Sequence, residues 1–481
     1  MRLHRLGEQP VCLCPPGRRE LTQQEAKGIV DRSAREPKHL VRAIGRWGLA
    51  ALVINSVIGS GIFGLPAIVA ADLGRESPFA YLVAAAGIGI VMGCFTEVAS
   101  QFRQAGGPFL YTRVAFGRLL ALEVAWLHWL SRLTAGAAAI NLFATYLGYF
   151  WPSAQRPLER ALLAAAILVV ITGVNLLGVK IGAHLSSAFT IAKIAPLLIF
   201  AAAGVLYGVA HPAVSPVNPR VATAADWFDA SLVLIFAYGG FEGALVPMSE
   251  ARAPQRDVPF AMAVAFLSVT LIYILVQIVV VRVLPDPAQT DRPLAMAAQV
   301  FLGPAGAAFI AVSALLALFG YLSAQMVHVP RMTFALAEQG DLPSVFAAVH
   351  NRFRTPYISI LVFATLLWAI ATVGNFRWNV VLSSASRLIT YGLVCGALVV
   401  LRRKTPSLAS YRLPLGPIFA VIGIALMIVL FAHTTREELG WILATAVIAL
   451  LNWLATRRHV AANTTTVAEA NSAVMEERDR S

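Results

Sequence analysis

Two glycine-bearing runs and one isolated lysine hold the residues of this sequence best placed to do chemistry. The runs are Ile58-Gly59-Ser60-Gly61-Ile62-Phe63-Gly64 and Phe236-Ala237-Tyr238-Gly239-Gly240-Phe241-Glu242; the lysine is Lys193. Each run interrupts a hydrophobic segment long enough to cross a bilayer, Trp47 to Ala71 and Trp227 to Ser249. Amides and carbonyls freed inside lipid find no water, so such a break is tolerated only where it lines a protein cavity or meets a ligand. At the first run small residues admit a ligand to the backbone, and the half-helix that begins there offers free N–H groups and a positive dipole end. That end suits an anion, with the Ser60 hydroxyl as a further donor. Pro66 is expected in the opening turn of this half-helix, where its missing N–H costs nothing. The second run, oppositely oriented, offers carbonyl oxygens and a negative dipole end, which suits a cation. Amides on one side and carbonyls on the other fit a zwitterion, and an α-amino acid is the simplest one. Ile58, Gly59, Ser60, Gly61, Ile62, Phe236, Ala237, Tyr238 and Gly239 are therefore the expected binding residues. Phe236 is either an aromatic lid or plain packing, and the first run also reads as a small-residue face for close helix contact.

Ionisable residues inside apolar segments are functional candidates because their burial is costly. Lys193 lies in Ala-Phe-Thr-Ile-Ala-Lys-Ile-Ala-Pro, nine residues into its segment and so about 12 Å deep at about 1.5 Å per residue. It is a candidate to take up and release a proton, or else a fixed amine that pins the first break through its carbonyls. Glu242, just past the second break, reads as a proton sensor beside the cavity or as one half of an ion pair with Arg132 or Arg387. Arg132 is expected to pair within the bundle rather than face an acidic substrate group. Glu97 and Glu250 fall near helix ends, where solvated or gating ion pairs with loop arginines are the ordinary expectation. Trp126, His128 and Trp129 either line the cavity or anchor their helix at the interface.

The elements that must position these residues are membrane helices. Hydrophobic residues make up 58% of the chain and charged ones 13%, with a mean hydropathy of +0.71, far from the usual soluble balance. Twelve spans are predicted, at 47–71, 79–100, 119–150, 161–178, 184–206, 227–249, 259–284, 305–327, 357–374, 379–401, 414–433 and 438–456. The two breaks then open the two halves of a possible five-plus-five repeat, and paired interruptions of this kind mark the midplane site of secondary transporters with inverted repeats. The net charge of +13 is dispersed over loops and the first 46 residues rather than gathered on one face with aromatics, which argues against nucleic acid. Its excess on alternate loops places both termini in the cytoplasm. No cleavable signal is evident, and the tails 1–44 and 458–481 read as solvated appendages. Cys12, Cys14, Cys94 and Cys395 are too scattered for a disulfide framework. The HExxH, GxSxG and P-loop patterns are absent, so neither an enzyme nor direct use of ATP is expected, and no cofactor or metal is implied.

Five motifs, in order, carry a resemblance. GSGIF at 59–63, AGGPFLYTRVAFG at 105–117, FAYGGFE at 236–242, EARAPQRDVP at 250–259 and LRRKTP at 401–406 together resemble amino acid permeases of the amino acid-polyamine-organocation superfamily, over about residues 45–457. FAYGG is also similar to the helix 6 break of L-type amino acid transporters, and the glutamate after it resembles one implicated in the pH response of the bacterial arginine/agmatine antiporter. The resemblance implies an all-α membrane protein of two inverted five-helix repeats, 45–208 and 227–401, with two further helices over 410–457. It also implies alternating access. Lys193 matches the lysine that replaces sodium in proton-coupled permeases, which argues against sodium coupling. Neutral L-amino acids with proton coupling are the expected cargo, in a bacterial inner membrane. Acidic or cationic amino acids, polyamines, exchange instead of symport, and a non-transporting sensor on the same fold are the alternatives.

Overall fold

The computed structural model describes residues 45–102, 106–177, 183–212, 221–245, 253–404 and 411–479, excepting the side chains at 183–191, 244, 254–255 and 458–479. The amino-terminal tail with Cys12 and Cys14, Arg103, Lys180 and Glu250 lie outside them. All regular structure among the described residues is helical, as a lipid setting demands of backbone groups that must be satisfied within their own segment.

The helices run in chain order α1 Arg46–Val57, α2 Gly61–Leu73, α3 Ser77–Ser100, α4 Gly107–Phe116, α5 Arg118–Leu147, α6 Pro157–Leu176, α7 Ala183–Ala210, α8 Ala224–Tyr238, α9 Phe241–Ala244, α10 Pro254–Val283, α11 Pro293–Glu338, α12 Tyr357–Val373, α13 Phe376–Lys404, α14 Gly416–Ala432 and α15 Arg436–Asp479. Seven stretches among the described residues are long and apolar enough to cross a membrane: 61–100, 157–176, 192–210, 256–283, 293–338, 376–404 and 436–457. The shorter α12 and α14 are apolar as well.

Local chemistry sets the boundaries. Proline occupies the first or second helical position of α4, α6, α10, α11 and α14, where its fixed φ is already helical and its missing N–H would be unpaired. A capping box at Thr223 and Asp226 starts α8 and satisfies two orphan donors reciprocally. The element expected at 305–327 is longer, because Gly303 in a left-handed conformation (φ 71°) separates a short leading helix from the main one begun by Pro304. The last helix runs through Asp479, beyond the expected start of a tail at 458; no glycine or proline follows Gly440 to stop it.

Packing sets both breaks among the other helices. α1 lies against α10, α2 against α8, and α13 bridges α5 and α14. Between α5 and α13 small residues are frequent, as in the buried Ala135, Gly136, Ala137 and Ala138 of α5 and Ser383, Ser384, Ala385 and Ser386 of α13. Small residues allow the close backbone approach that van der Waals packing in lipid requires.

Candidate functional site

The first break occupies Ile58 to Ser60. α1 ends at Val57 with Ile58 extended (φ −69°, ψ 94°), and α2 begins at Gly61. The Ile58 amide still donates to the Ile54 carbonyl at 2.9 Å, but the amides of Gly59, Ser60 and Gly61 have no partner among the described residues. The Ser60 hydroxyl is buried and also unpartnered. Gly59, Ser60 and Gly61 line a small cavity of about 10 Å³, the volume one water needs, together with Phe236, Gly239, Arg132, Tyr321 and Arg387. Ile62 points away into the core. Pro66 is the sixth residue of α2, not part of its opening turn, so its missing N–H does interrupt the helical ladder. Its own carbonyl is taken up by Gln277 Nε2 at 3.2 Å.

The carbonyls released at this break are occupied from within. Lys193 Nζ donates to Asn55 O at 2.7 Å and to Ile58 O at 2.6 Å. Tyr146 donates to Phe63 O at 2.9 Å. The Tyr273 hydroxyl lies 3.3 Å from Val57 O and 3.0 Å from Ala237 O, so one proton is shared between the two breaks.

The second break is tighter. Tyr238 ends α8, Gly239 is extended, and Gly240 adopts φ 112° before α9 resumes at Phe241. Only glycine occupies this region readily, and a side chain at Gly240 would also meet the Ser56 carbonyl. Glu242, 1% exposed, folds back to accept from the Gly240 amide at 2.8 Å and from Tyr391 at 3.2 Å. Both sequence-predicted arginine partners reach it: Arg132 Nη2 at 3.2 Å and Arg387 Nε at 3.6 Å from Oε1. Glu242 is therefore the knot that ties α9, α5 and α13 together at the break. Tyr238 turns out of the site and donates to Tyr81 O at 3.1 Å.

Arg387 is the residue that pattern reading under-used. Its Nη1 reaches the Phe236 carbonyl at 3.4 Å, its Nε donates to Ser131 Oγ at 2.9 Å, and its Cζ lies 5.5 Å from the Phe236 ring centroid. The negative end of α8, expected to receive a cation, thus already holds one, and the Phe236 ring packs on a guanidinium. Ser383, Arg387 and Tyr391 follow one another at four-residue spacing on α13, which puts them on one helix face; that periodicity was available in the sequence. Gln325 supports the same wall, donating to Tyr321 at 2.6 Å and to Arg132 O at 3.3 Å. His128 Nε2 accepts from Arg132 Nε at 3.3 Å, while Trp126 and Trp129 pack edge-on, Trp129 also on Phe363.

A larger chamber of about 460 Å³ adjoins α2. Gly64, Asn141, Thr145, Arg160 and Phe376 are among its lining residues. Phe376 fills the space beside Gly64, and Arg377 bridges to Asp72 at 3.4 Å. At the far end of α3, Glu97 is not a solvated end charge. It is fully buried, paired twice with Arg402 at 2.6 Å and bonded to the Leu413 amide at 2.8 Å. Cys94 and Cys395 are buried free thiols.

Comparison with known proteins agrees with this architecture. The family model described as amino acid permease matches residues 44–451. A methylthioribose transporter of Bacillus subtilis is 27% identical over 88% of this chain and 95% of its own length. The branched-chain amino acid permease BcaP of the same organism is 26% identical over 87% and 91%, and its serine/threonine exchanger SteT is 27% identical over 81% and 90%.

Proposed function

The chain belongs to the amino acid permease family, a family of multi-pass membrane transporters rather than enzymes, and we propose that it is a secondary active carrier that binds an amino acid between its two helix breaks. The observation that carries this reading is the row of unpartnered donors at Gly59, Ser60 and Gly61 facing the end of α8 across one cavity. The substrate carboxylate docks on these amides. Its ammonium takes Phe236 O, displacing the long Arg387 contact. In the present state the cavity is closed to about one water's volume, so loading requires the halves to part. Alternating access between two inverted five-helix repeats, with two further helices beside them and both termini cytoplasmic, supplies that motion.

Lys193 is the proposed coupling residue. Its ammonium is a fixed internal cation on Asn55 O and Ile58 O, and proton loss would strip the charge that strengthens both bonds and loosen the break. The SteT resemblance keeps exchange as the second reading, in which Lys193 is a permanent pin and Glu242 the responsive group. Neutral amino acids remain the simplest cargo for the head-group site alone. Uptake of labelled amino acids into proteoliposomes decides between the two modes. Symport predicts accumulation in empty vesicles under an inward proton gradient, independent of sodium. Uptake only into vesicles preloaded with amino acid would establish exchange.

A further inference from the structure

The charges around the cavity do not balance. Arg132 and Arg387 both line it, and among the described residues a single carboxylate, Glu242, answers both. Glu242 gives Oε2 to the Gly240 amide and to Tyr391, so Oε1 alone faces the two guanidiniums, and one negative charge stands against two positive ones. Arg387 Nη2 and Arg132 Nη1 have no partner among the described residues, though the Arg387 side chain is only 4% exposed and that of Arg132 12%. The remaining ionisable neighbours among the described residues supply no second anion. His128 accepts from Arg132 and cannot neutralise it, and Lys193 adds a further cation on the other side of the first break. A buried guanidinium that lacks a full counter-charge is costly, and a bound anion relieves that cost.

We infer that the cargo carries net negative charge: it is an acidic amino acid whose side-chain carboxylate is received by Arg132 and Arg387. The inference rests on the reading of the breaks as the head-group site and deepens it. The two steps fit one another. An ammonium on Phe236 O releases Arg387 Nη1, and the freed guanidinium turns its planar donor edge to the second carboxylate, a geometry suited to a paired contact. Cationic amino acids and polyamines meet two like charges at that wall, and a neutral side chain leaves the surplus uncompensated.

The test uses full-length protein in proteoliposomes, with L-glutamate and L-aspartate each competed against L-glutamine and L-asparagine, which match them in shape and lack the charge. The expected result is at least tenfold tighter binding of one acid than of its amide, with L-lysine the weakest. Equal or tighter binding of the amide overturns the inference, as does binding of none of these solutes; binding of no α-amino acid in a full panel overturns the head-group reading as well. Arg132→Gln should collapse the acid-to-amide ratio toward one, whereas Arg132→Lys should keep most of it. If Arg132→Gln does not fold, the wild-type ratio still decides. Gly61→Val separates the two layers. Loss of all amino acid binding in that variant with no acid preference in the wild type refutes only the charge inference, whereas intact binding refutes the site.

Discussion

Arg387 donates to the main-chain carbonyl of Phe236 at 3.4 Å and lies over the same residue's ring, so one side chain of α13 both caps the broken end of α8 and packs on the aromatic expected to close the site. The space for this contact is the missing side chain at Gly239, where any Cβ would collide with the Arg387 guanidinium. Gly239→Ala is therefore expected to expel Arg387 from its place. Transport should fall by at least tenfold while detergent-solubilised protein stays monodisperse on size exclusion. Full activity would show that the contact is dispensable.

The glycines of the two breaks are not equivalent, which gives a graded series. At Gly59 a new methyl meets the Tyr321 ring at an ordinary 3.6 Å, at Gly61 it presses on the Ala237 backbone at 3.2 Å, and at Gly240 it meets Ser56 O in a left-handed conformation. The left-handed position alone costs about 1–2 kcal/mol. Alanine substitutions should lower thermal stability most at Gly240 and least at Gly59. Thermal unfolding followed by thiol-reactive dye would return that order, and a reversed order would refute the steric account.

Lys193→Ala removes the donor from two buried carbonyls, Asn55 O and Ile58 O. Each unsatisfied group costs about 1–3 kcal/mol, so α1 should loosen and proton-driven accumulation should be lost. Lys193→Gln can still donate one or two hydrogen bonds and should restore folding without restoring accumulation. Recovery of pH-dependent uptake in the glutamine variant would remove Lys193 from coupling and leave it as a pin.

Glu242→Gln keeps the shape of the knot but strips the counter-charge from Arg132 and Arg387. Breaking a buried pair from one side costs about 3–5 kcal/mol, whereas pairing this change with Arg132→Gln should recover part of that loss. A double-mutant cycle on unfolding midpoints measures the coupling; strict additivity would mean that the pair contributes nothing to stability.

Arg402→Ala would strand fully buried Glu97 between α3 and α14. A loss of about 3–5 kcal/mol is expected, seen as a lower midpoint and reduced yield, and Glu97→Gln with Arg402→Met should be milder than Arg402→Ala alone.

Much of this site was legible along the chain, because its signals are local. Glycines close together with a serine or a second glycine mark the two breaks, whereas the spaced Gly87, Gly89 and Gly93 lie inside the unbroken α3, and a lysine among alanine, isoleucine and phenylalanine announces a buried amine. What could not be read was which distant groups meet. Glu242 had two candidate arginines, and the bundle uses both because α5 and α13 pack closely over serine and alanine, bringing Ser131 and Ser383 hydroxyls within 3.1 Å. Position within a half-helix was equally hidden. Pro66 falls deeper than expected because α2 already starts at Gly61, directly after the break, so that five residues of helix precede the proline.

The two sides of each break differ in what the protein itself supplies to them. Asn55 O and Ile58 O rest on Lys193, Val57 O and Ala237 O share Tyr273, and Phe236 O rests on Arg387. The carbonyl side of each break is thus taken by the protein's own donors, whereas the amides of Gly59, Ser60 and Gly61 and the Ser60 hydroxyl are not. A cation approaching Phe236 O has to displace a side chain, and an anion approaching the first break does not.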